Sequence, residues 1–389
     1  MRKFTLVACV LIGMMVLVSC TKGTAPGTSP APGDTAGKTP AVTSARTGWE
    51  LELQQTVDAA RKEGTVVVYM TAGSEVRQAL TKTFKDRYGI TVEALNMTGR
   101  EMAVKITRER QSGLFLADVY QGGVTTPITL LKPIGAFDPL ERVLILPEFK
   151  DPELVKKTWY EGKLLWVDKD KMVLPFLGFA IDWALINTDM VKVDEMKSLR
   201  DLLNPKWKGK LLIYDPAATG VGGKLFGTIG TFGPGFEFWR ELAKQEPVIM
   251  RDHRLMAEWI AQGKYAIAVA PRPEEAQMMK DAGAHVTLLL PPVEGSILTT
   301  GSGGLALMNK AAHPNAAKLY INWLLSKEGL TVFTKAYGAP SLRLDVPTDF
   351  LPPEKQRQAG VKYIWPENEE YLSKETTYYS MAREIFGIK

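Results

Sequence analysis

The chain has 389 residues, 45% hydrophobic and 23% charged, with a formal net charge of +5. These are ordinary globular values at a length that allows two domains, which excludes a wholly disordered or fibrous protein. The charge is mild and contains no run of lysine and arginine, so nucleic acid is not an expected partner.

The first elements lie at the N-terminus. Arg2 and Lys3 precede an almost wholly apolar run over residues 4–18. That run has the length of a signal-peptide core and is short for a membrane span. It ends in Leu17-Val18-Ser19-Cys20, which resembles a lipobox: a small residue before the cysteine that is lipidated and becomes the mature first residue. One acyl chain binds a membrane marginally, whereas several hold stably. Cys9 and Cys20 are the only cysteines. Residues 1–20 read as the lipoprotein signal peptide with its lipobox; once the leader is cleaved before Cys20, only that cysteine remains, its sulfur carrying lipid, so no disulfide or thiolate metal site can form in the mature chain. Residues 21–48 are rich in Pro, Gly and Thr and lack aromatics, as expected for a disordered tether. A coil of that length spans roughly 30 Å on average.

From residue 49 onward the pattern is strand, loop, helix. Residues 54–62 read as a helix closed by Gly64, and 65–70 as a strand buried on both faces. Thr71-Ala72-Gly73-Ser74 is a small-residue loop before a helix over 75–87, with Val76, Ala79, Leu80 and Phe84 on one stripe. A strand at 90–95 leads to Thr98-Gly99-Arg100-Glu101, which has capping-box spacing and opens a helix to about Gln111. A third strand at 117–121 is broken by Gly122-Gly123, and Thr126-Pro127 reads as a helix start.

The second half repeats the pattern. Strands are expected at 210–214, 247–250, 265–270, 286–290 and 305–308, with helices at 236–244, 255–262, from 273 to about 282, and 313–325. Asp215-Pro216 begins a turn, and residues 219–223 (Thr-Gly-Val-Gly-Gly) read as a flexible crest. Such alternation argues for an α/β fold with mainly parallel sheets. In open sheets of this kind ligands bind beyond the carboxyl ends of the strands, where helix N-termini offer free N–H groups suited to anions.

The order of segments resembles the periplasmic solute-binding proteins of ABC importers, in the family that holds ferric-iron and thiamine binders. The markers are residues 65–74, Ala117-Asp118-Val119-Tyr120, the run 203–211, Pro247-Val248, residues 262–268, His313-Pro314-Asn315 and residues 325–329. The resemblance implies a two-lobed periplasmic-binding-protein fold, each lobe a mainly parallel sheet flanked by helices, with the ligand in the cleft between them. It implies one lobe from 49–178 and 304–345, a second from 179–303, and a C-terminal helical segment, 346–389, packing on the lobes. It further implies a monomer that takes a small-molecule ligand by hinge closure and delivers it to an ABC permease, needs no cofactor and performs no catalysis. The lipid on Cys20 would hold it outside the cell membrane.

Iron binders of this family use two adjacent tyrosines from the second lobe. The corresponding stretch, 268–275, has none, and Arg272 stands there instead. Tyr378 and Tyr379 are paired, but in a C-terminal amphipathic helix where packing is the expected role. Arg100, Arg251, His253 and Arg272 occupy strand-end loops, and arginine forks suit carboxylate, phosphate and phosphonate. The expected ligand site therefore comprises Thr71, Gly73, Ser74, Thr98, Gly99, Arg100, Gly122, Gly123, Asp215, Thr219, Gly220, Arg251, His253, Arg272, Thr300, Gly301 and Ser302, with a small anion as ligand and no metal. Arg251 and Arg254, three residues apart, need not both face the cleft. Ferric iron or an iron chelate is the alternative. Trp183, Trp207, Trp239, Trp259 and Trp323 read as core. Against an enzyme, Gly301-Ser302-Gly303 lacks the two-sided spacing of a nucleophile elbow. His253, His285 and His313 are scattered, and Ala218 stands where a phosphate loop ending at Lys224 needs its first glycine.

Overall fold

The structure, a computed structural model, describes residues 48–389. The expected leader, Cys20 and the tether as far as residue 47 lie outside the described residues. In chain order the first part runs α1 (Gly48–Glu63), β1 (Thr65–Met70), α2 (Ser74–Tyr88), β2 (Thr91–Asn96), α3 (Gly99–Gln111), β3 (Val119–Gly122), β4 (Phe137–Asp138), α4 (Pro152–Thr158) and β5 (Val173–Pro175). The middle part is β6 (Phe179–Ala180), β7 (Ala184–Asn187), β8 (Leu211–Tyr214), α5 (Val221–Phe232), α6 (Phe236–Ala243), β9 (Val248–Met250), α7 (His253–Ala261), β10 (Ile267–Val269), α8 (Pro273–Asp281), β11 (Val286–Leu288) and β12 (Ser296–Thr299). The last part is β13 (Gly304–Met308), α9 (Pro314–Leu325), α10 (Lys327–Tyr337), β14 (Tyr363–Ile364), α11 (Glu369–Ser373) and α12 (Glu375–Phe386).

Two main sheets result. The first has order β2-β1-β3-β13-β4, with β5 also on β13; the second has order β11-β7-β10-β8-β9. β1 is parallel to β2 and β3, and β8 is parallel to β9 and β10. Each sheet also holds reversed strands: β13 is antiparallel to β3, and β7 to β10. Both arrive from the other sheet instead of over a helix, so no crossover imposes parallel order on them. A small third sheet, β14-β12-β6, contains the two passages between the main sheets.

The apolar runs are buried on both faces, which is why they read as continuous. In β1, Val66, Val68 and Met70 pack with Phe84 of α2 and with Tyr320 and Trp323 of α9, while Tyr69 packs with Met102 and Ile106 of α3. Phe84 stands edge-on to Tyr320 and Trp323 at 5.4 and 5.2 Å. Burying a side chain of that size stabilises by about 1.5–3 kcal/mol. In β8, Leu212 meets Met256 and Ile260 of α7, and Leu211 and Ile213 meet Leu225, Phe226 and Trp239. Trp183, Trp207, Trp239 and Trp323 are core residues as expected; Trp259 is half-buried and stacks on Tyr265.

Some local readings change. The helix expected after Thr126 is a five-residue π-helical turn, Pro127–Leu131, and Thr126 makes no side-chain cap on it. Residues 221–223 of the expected flexible crest are already the start of α5: an added Cβ would lie 2.3 Å from the Asp215 carbonyl at Gly222 and 2.3 Å from the Tyr379 ring at Gly223. Those glycines serve close approach, not freedom. The capping box holds: Thr98 Oγ1 accepts from the Glu101 N–H, and Glu101 accepts from the Thr98 N–H at 2.8 Å.

Candidate functional site

Because β1, β2 and β3 are parallel, their ends deliver the loops 71–73, 97–98 and 123–126 to one edge of the first sheet. β13 pairs Gly304 with Gly122, which brings residues 300–303 to the same edge. Contacts there are tight. The Gly122 α-carbon faces the Thr71 methyl, Gly123 faces the Gly301 carbonyl, and Gly99 faces the Thr126 hydroxyl. The Tyr120 hydroxyl donates to the Gly123 carbonyl at 2.9 Å. Thr71 Oγ1 is buried with no partner. Gly73 and Ser74 are exposed, and an added Cβ on Gly73 meets nothing within 4 Å.

Not every expected residue opens to that edge. Thr300 is fully buried; its hydroxyl donates to the Leu177 carbonyl at 3.3 Å and its N–H to Glu367 at 3.1 Å. Ser302 is half-buried and its N–H donates to the Tyr337 hydroxyl. Gly301, at φ +55°, lies against that hydroxyl and the Phe179 ring. Arg100 is exposed on α3, where with Val104 and Arg108 it lines an open hollow of about 560 Å³ along the helix.

The second sheet gathers its candidates more closely. β8, β9 and β10 are parallel and are followed by Asp215, Arg251 and Ala270. Asp215 is buried; one carboxylate oxygen accepts from the Ala217 N–H at 2.7 Å and the other from Arg251 Nε at 2.6 Å. His253 is 9% exposed and stacks on Tyr214 with centroids 3.7 Å apart and planes 5° from parallel. Burial first, and then the nearby Arg272 charge, pull its pKa from 6.5 to about 4, so the ring is neutral at pH 7. Its Nδ1 is buried without a partner. Ala270 adopts φ +58°, a strained position for a side-chain-bearing residue, and Pro271 follows. Arg272 comes next, exposed at the N-cap of α8; among the described residues it has no carboxylate partner. Arg254 pairs instead with Glu258 along α7. Thr219 and Gly220 are exposed just before α5.

Sequence reasoning missed a group built by distant segments. Lys224 of α5 reaches the buried carboxylate of Glu367 and the Thr299 hydroxyl. Glu375 of α12 accepts from Thr125 at 3.3 Å, and burial pushes its pKa up. Tyr379 donates to Glu375 and lies on Gly223. Only the Tyr378-Tyr379 pair carried a signal. Tyr378 is buried and accepts from Thr231, which bears out packing as its role. Among the described residues no three His, Cys, Asp or Glu side chains gather to hold a metal, and no helix is long and apolar enough to cross a membrane.

Residues 79–362 match the family model described as bacterial extracellular solute-binding protein. An uncharacterized protein of Haemophilus influenzae is 25% identical over 276 residues, covering 69% of this chain and 75% of its own. Among solved structures, the chain is similar to Trichodesmium FutA in complex with iron and citrate, with a TM-score of 0.63 and 18% identity over 83% of this chain and 98% of that one. It is also similar to AfuA of Actinobacillus pleuropneumoniae with fructose-6-phosphate bound, with a TM-score of 0.56 and 20% identity over 84% and 100%. These structural likenesses fix the fold as that of the two-lobed periplasmic binding proteins. The two sheets, the paired passages between them and the family match together place the chain in the family of bacterial extracellular solute-binding proteins, the extracytoplasmic solute receptors of ABC importers.

Proposed function

We propose that this receptor captures a small anion of carboxylate, phosphate-ester or phosphonate type between two hinged lobes and is held at the membrane by lipid on Cys20. The lobes are 49–178 with 304–345, and 179–303, with 346–389 packed on both. The passages β6 and β12 are the hinge. Closure is favoured by the free energy that the ligand gains from touching the second lobe.

The observation that carries the ligand class is Arg272. Its guanidinium is exposed, lacks a carboxylate partner among the described residues, and stands at the N-terminus of α8 beside a neutral His253. A planar five-donor cation at a helix N-terminus suits an oxyanion. Arg251 is already neutralised by Asp215 and contributes less net charge. The exposed Thr219 and Gly220 lie on the same sheet edge, and Thr71, Gly73, Ser74, Thr98, Gly99, Gly122 and Gly123 supply hydroxyls and close backbone from the other lobe.

Ferric iron is the second reading, favoured by the likeness to a protein bound to iron and citrate. The paired tyrosines weigh against it. Tyr378 is packed, and burial, with the Glu375 charge, raises the Tyr379 phenol away from the phenolate that iron needs.

A thermal-shift panel of carboxylates, sugar phosphates, phosphonates and iron(III) citrate tests the ligand class. An anion at about 100 times its Kd adds about 2.7 kcal/mol, a shift of a few degrees. A protein that turns red with iron and is unmoved by every iron-free anion contradicts the proposal. For the anchor, Cys20→Ser is expected to move the protein from the membrane to the soluble fraction; continued membrane association rejects lipidation at that residue.

A further inference from the structure

We infer that residues 357–379 form a strap across the hinge that biases the two lobes toward the arrangement seen here. The inference rests on the reading that the lobes hinge about β6 and β12.

The strap touches both passages. Half-buried Arg357 donates from Nη1 to the Gly178 carbonyl, just before β6 begins, and from Nη2 to the Ser341 carbonyl, each at 2.8 Å. β14 pairs with β12, and the Glu367 carboxylate accepts from Thr299 Oγ1 at 3.0 Å and from the Thr300 N–H at 3.1 Å.

Beyond Glu367 the chain divides its contacts between the lobes. Toward the first lobe, the Glu369 N–H donates to the Val167 carbonyl at 2.7 Å, its carboxylate accepts from Lys132 at 2.7 Å, and Glu375 accepts from Thr125. Toward the second lobe the contact is aromatic and broad. Tyr371 is buried with its hydroxyl on the Lys224 carbonyl and Thr228, Tyr378 packs on Phe236, and Tyr379 covers Gly223. A rotation of one lobe on the other cannot preserve both sets.

The polar set gives way first. Buried aromatic area is lost all at once, whereas a single hydrogen bond is exchanged for one to water at small net cost. Lys132 is also prepared for release. It lies 2.9 Å from both Asp168 and Asp170, so losing Glu369 leaves no stranded charge. Burial opposes its charge, but the hydrogen bonds that it donates to the three carboxylates outweigh that and raise its pKa. The Lys132–Glu369 and Thr125–Glu375 contacts are therefore a latch, and α12 travels with the second lobe.

The test is a spin-label distance between Gln78→Cys on α2 and Lys280→Cys on α8, both exposed, in the full chain with Cys9 and Cys20 changed to Ser. Glu369→Gln with Thr125→Val removes the latch with little change of shape. Loss of two modest hydrogen bonds is expected to raise a second lobe arrangement about tenfold in population. Glu52→Gln, which breaks the Lys318–Glu52 pair inside the first lobe, is expected to leave the distribution alone. A latch variant with the parent's distribution overturns the strap. Added phosphate, fructose 6-phosphate or iron(III) citrate then separates the two ideas: a parent distribution that moves with a probe spares the hinge, and one fixed under all three removes the hinge as well. Should the double variant fail to fold, Thr125→Val alone gives the same test with a smaller shift.

Discussion

His253 sits on Tyr214 with its ring neutral, at the edge of the second sheet where Asp215, Arg251 and Arg272 also end. Its lowered pKa is a stability statement. Between pH 6.5 and about 4 the unfolded chain binds a proton that the folded one refuses, so this residue's contribution is present above 6.5 and is lost as pH falls through that window. Arg272, Asp252 and Glu274 face the same ring electrostatically, with Arg272 the largest of the three. His253→Phe keeps the stack and removes the titration. The melting temperature of that variant is expected to fall less between pH 7 and pH 4.5 than that of the parent; parallel curves would show that His253 is not the group responsible. Reading the residues alone placed His253 in the ligand site from its strand-end position; the stack itself was not legible, because Tyr214 is too far away in sequence to announce it.

At the scale of elements, the parallel winding was legible in the residues themselves, whereas the passages were marked only by where the family resemblance divides the lobes. β1, β3, β8 and β10 are apolar runs bounded by glycine, proline or polar turns, a strong signal at short range. β6 and β12 have two and four residues and owe their existence to each other, antiparallel across more than a hundred residues of chain. α5 was misread because its glycines look like a loop until Tyr379 and the Asp215 carbonyl are set against them. Gly223→Ala would place a methyl 2.3 Å from the Tyr379 ring and 2.6 Å from the Ala218 carbonyl. Overpacking of this kind costs about 1–3 kcal/mol. A lower urea midpoint with unchanged slope is expected, and an unchanged midpoint would mean that α12 does not rest on α5.

At the scale of the molecule, two wound sheets joined by the short strands β6 and β12 each carry a set of strand-end loops. Half of the candidate site was readable, since parallel strands put their following loops at one edge and those loops held the hydroxyls and arginines. The rest was not. Lys224 meets Glu367 across 143 residues and Thr125 meets Glu375 across 250, and no local pattern encodes such a pair. Only the third dimension shows that the C-terminal segment meets β12 and the Gly178 carbonyl. The most direct measurement of the central claim is isothermal titration of the parent and Arg272→Ala with the anion that most raises the melting temperature. One-to-one binding weakened at least about tenfold by the substitution, roughly 1.4 kcal/mol, is the expected result. Equal affinity in two equally stable proteins would contradict it.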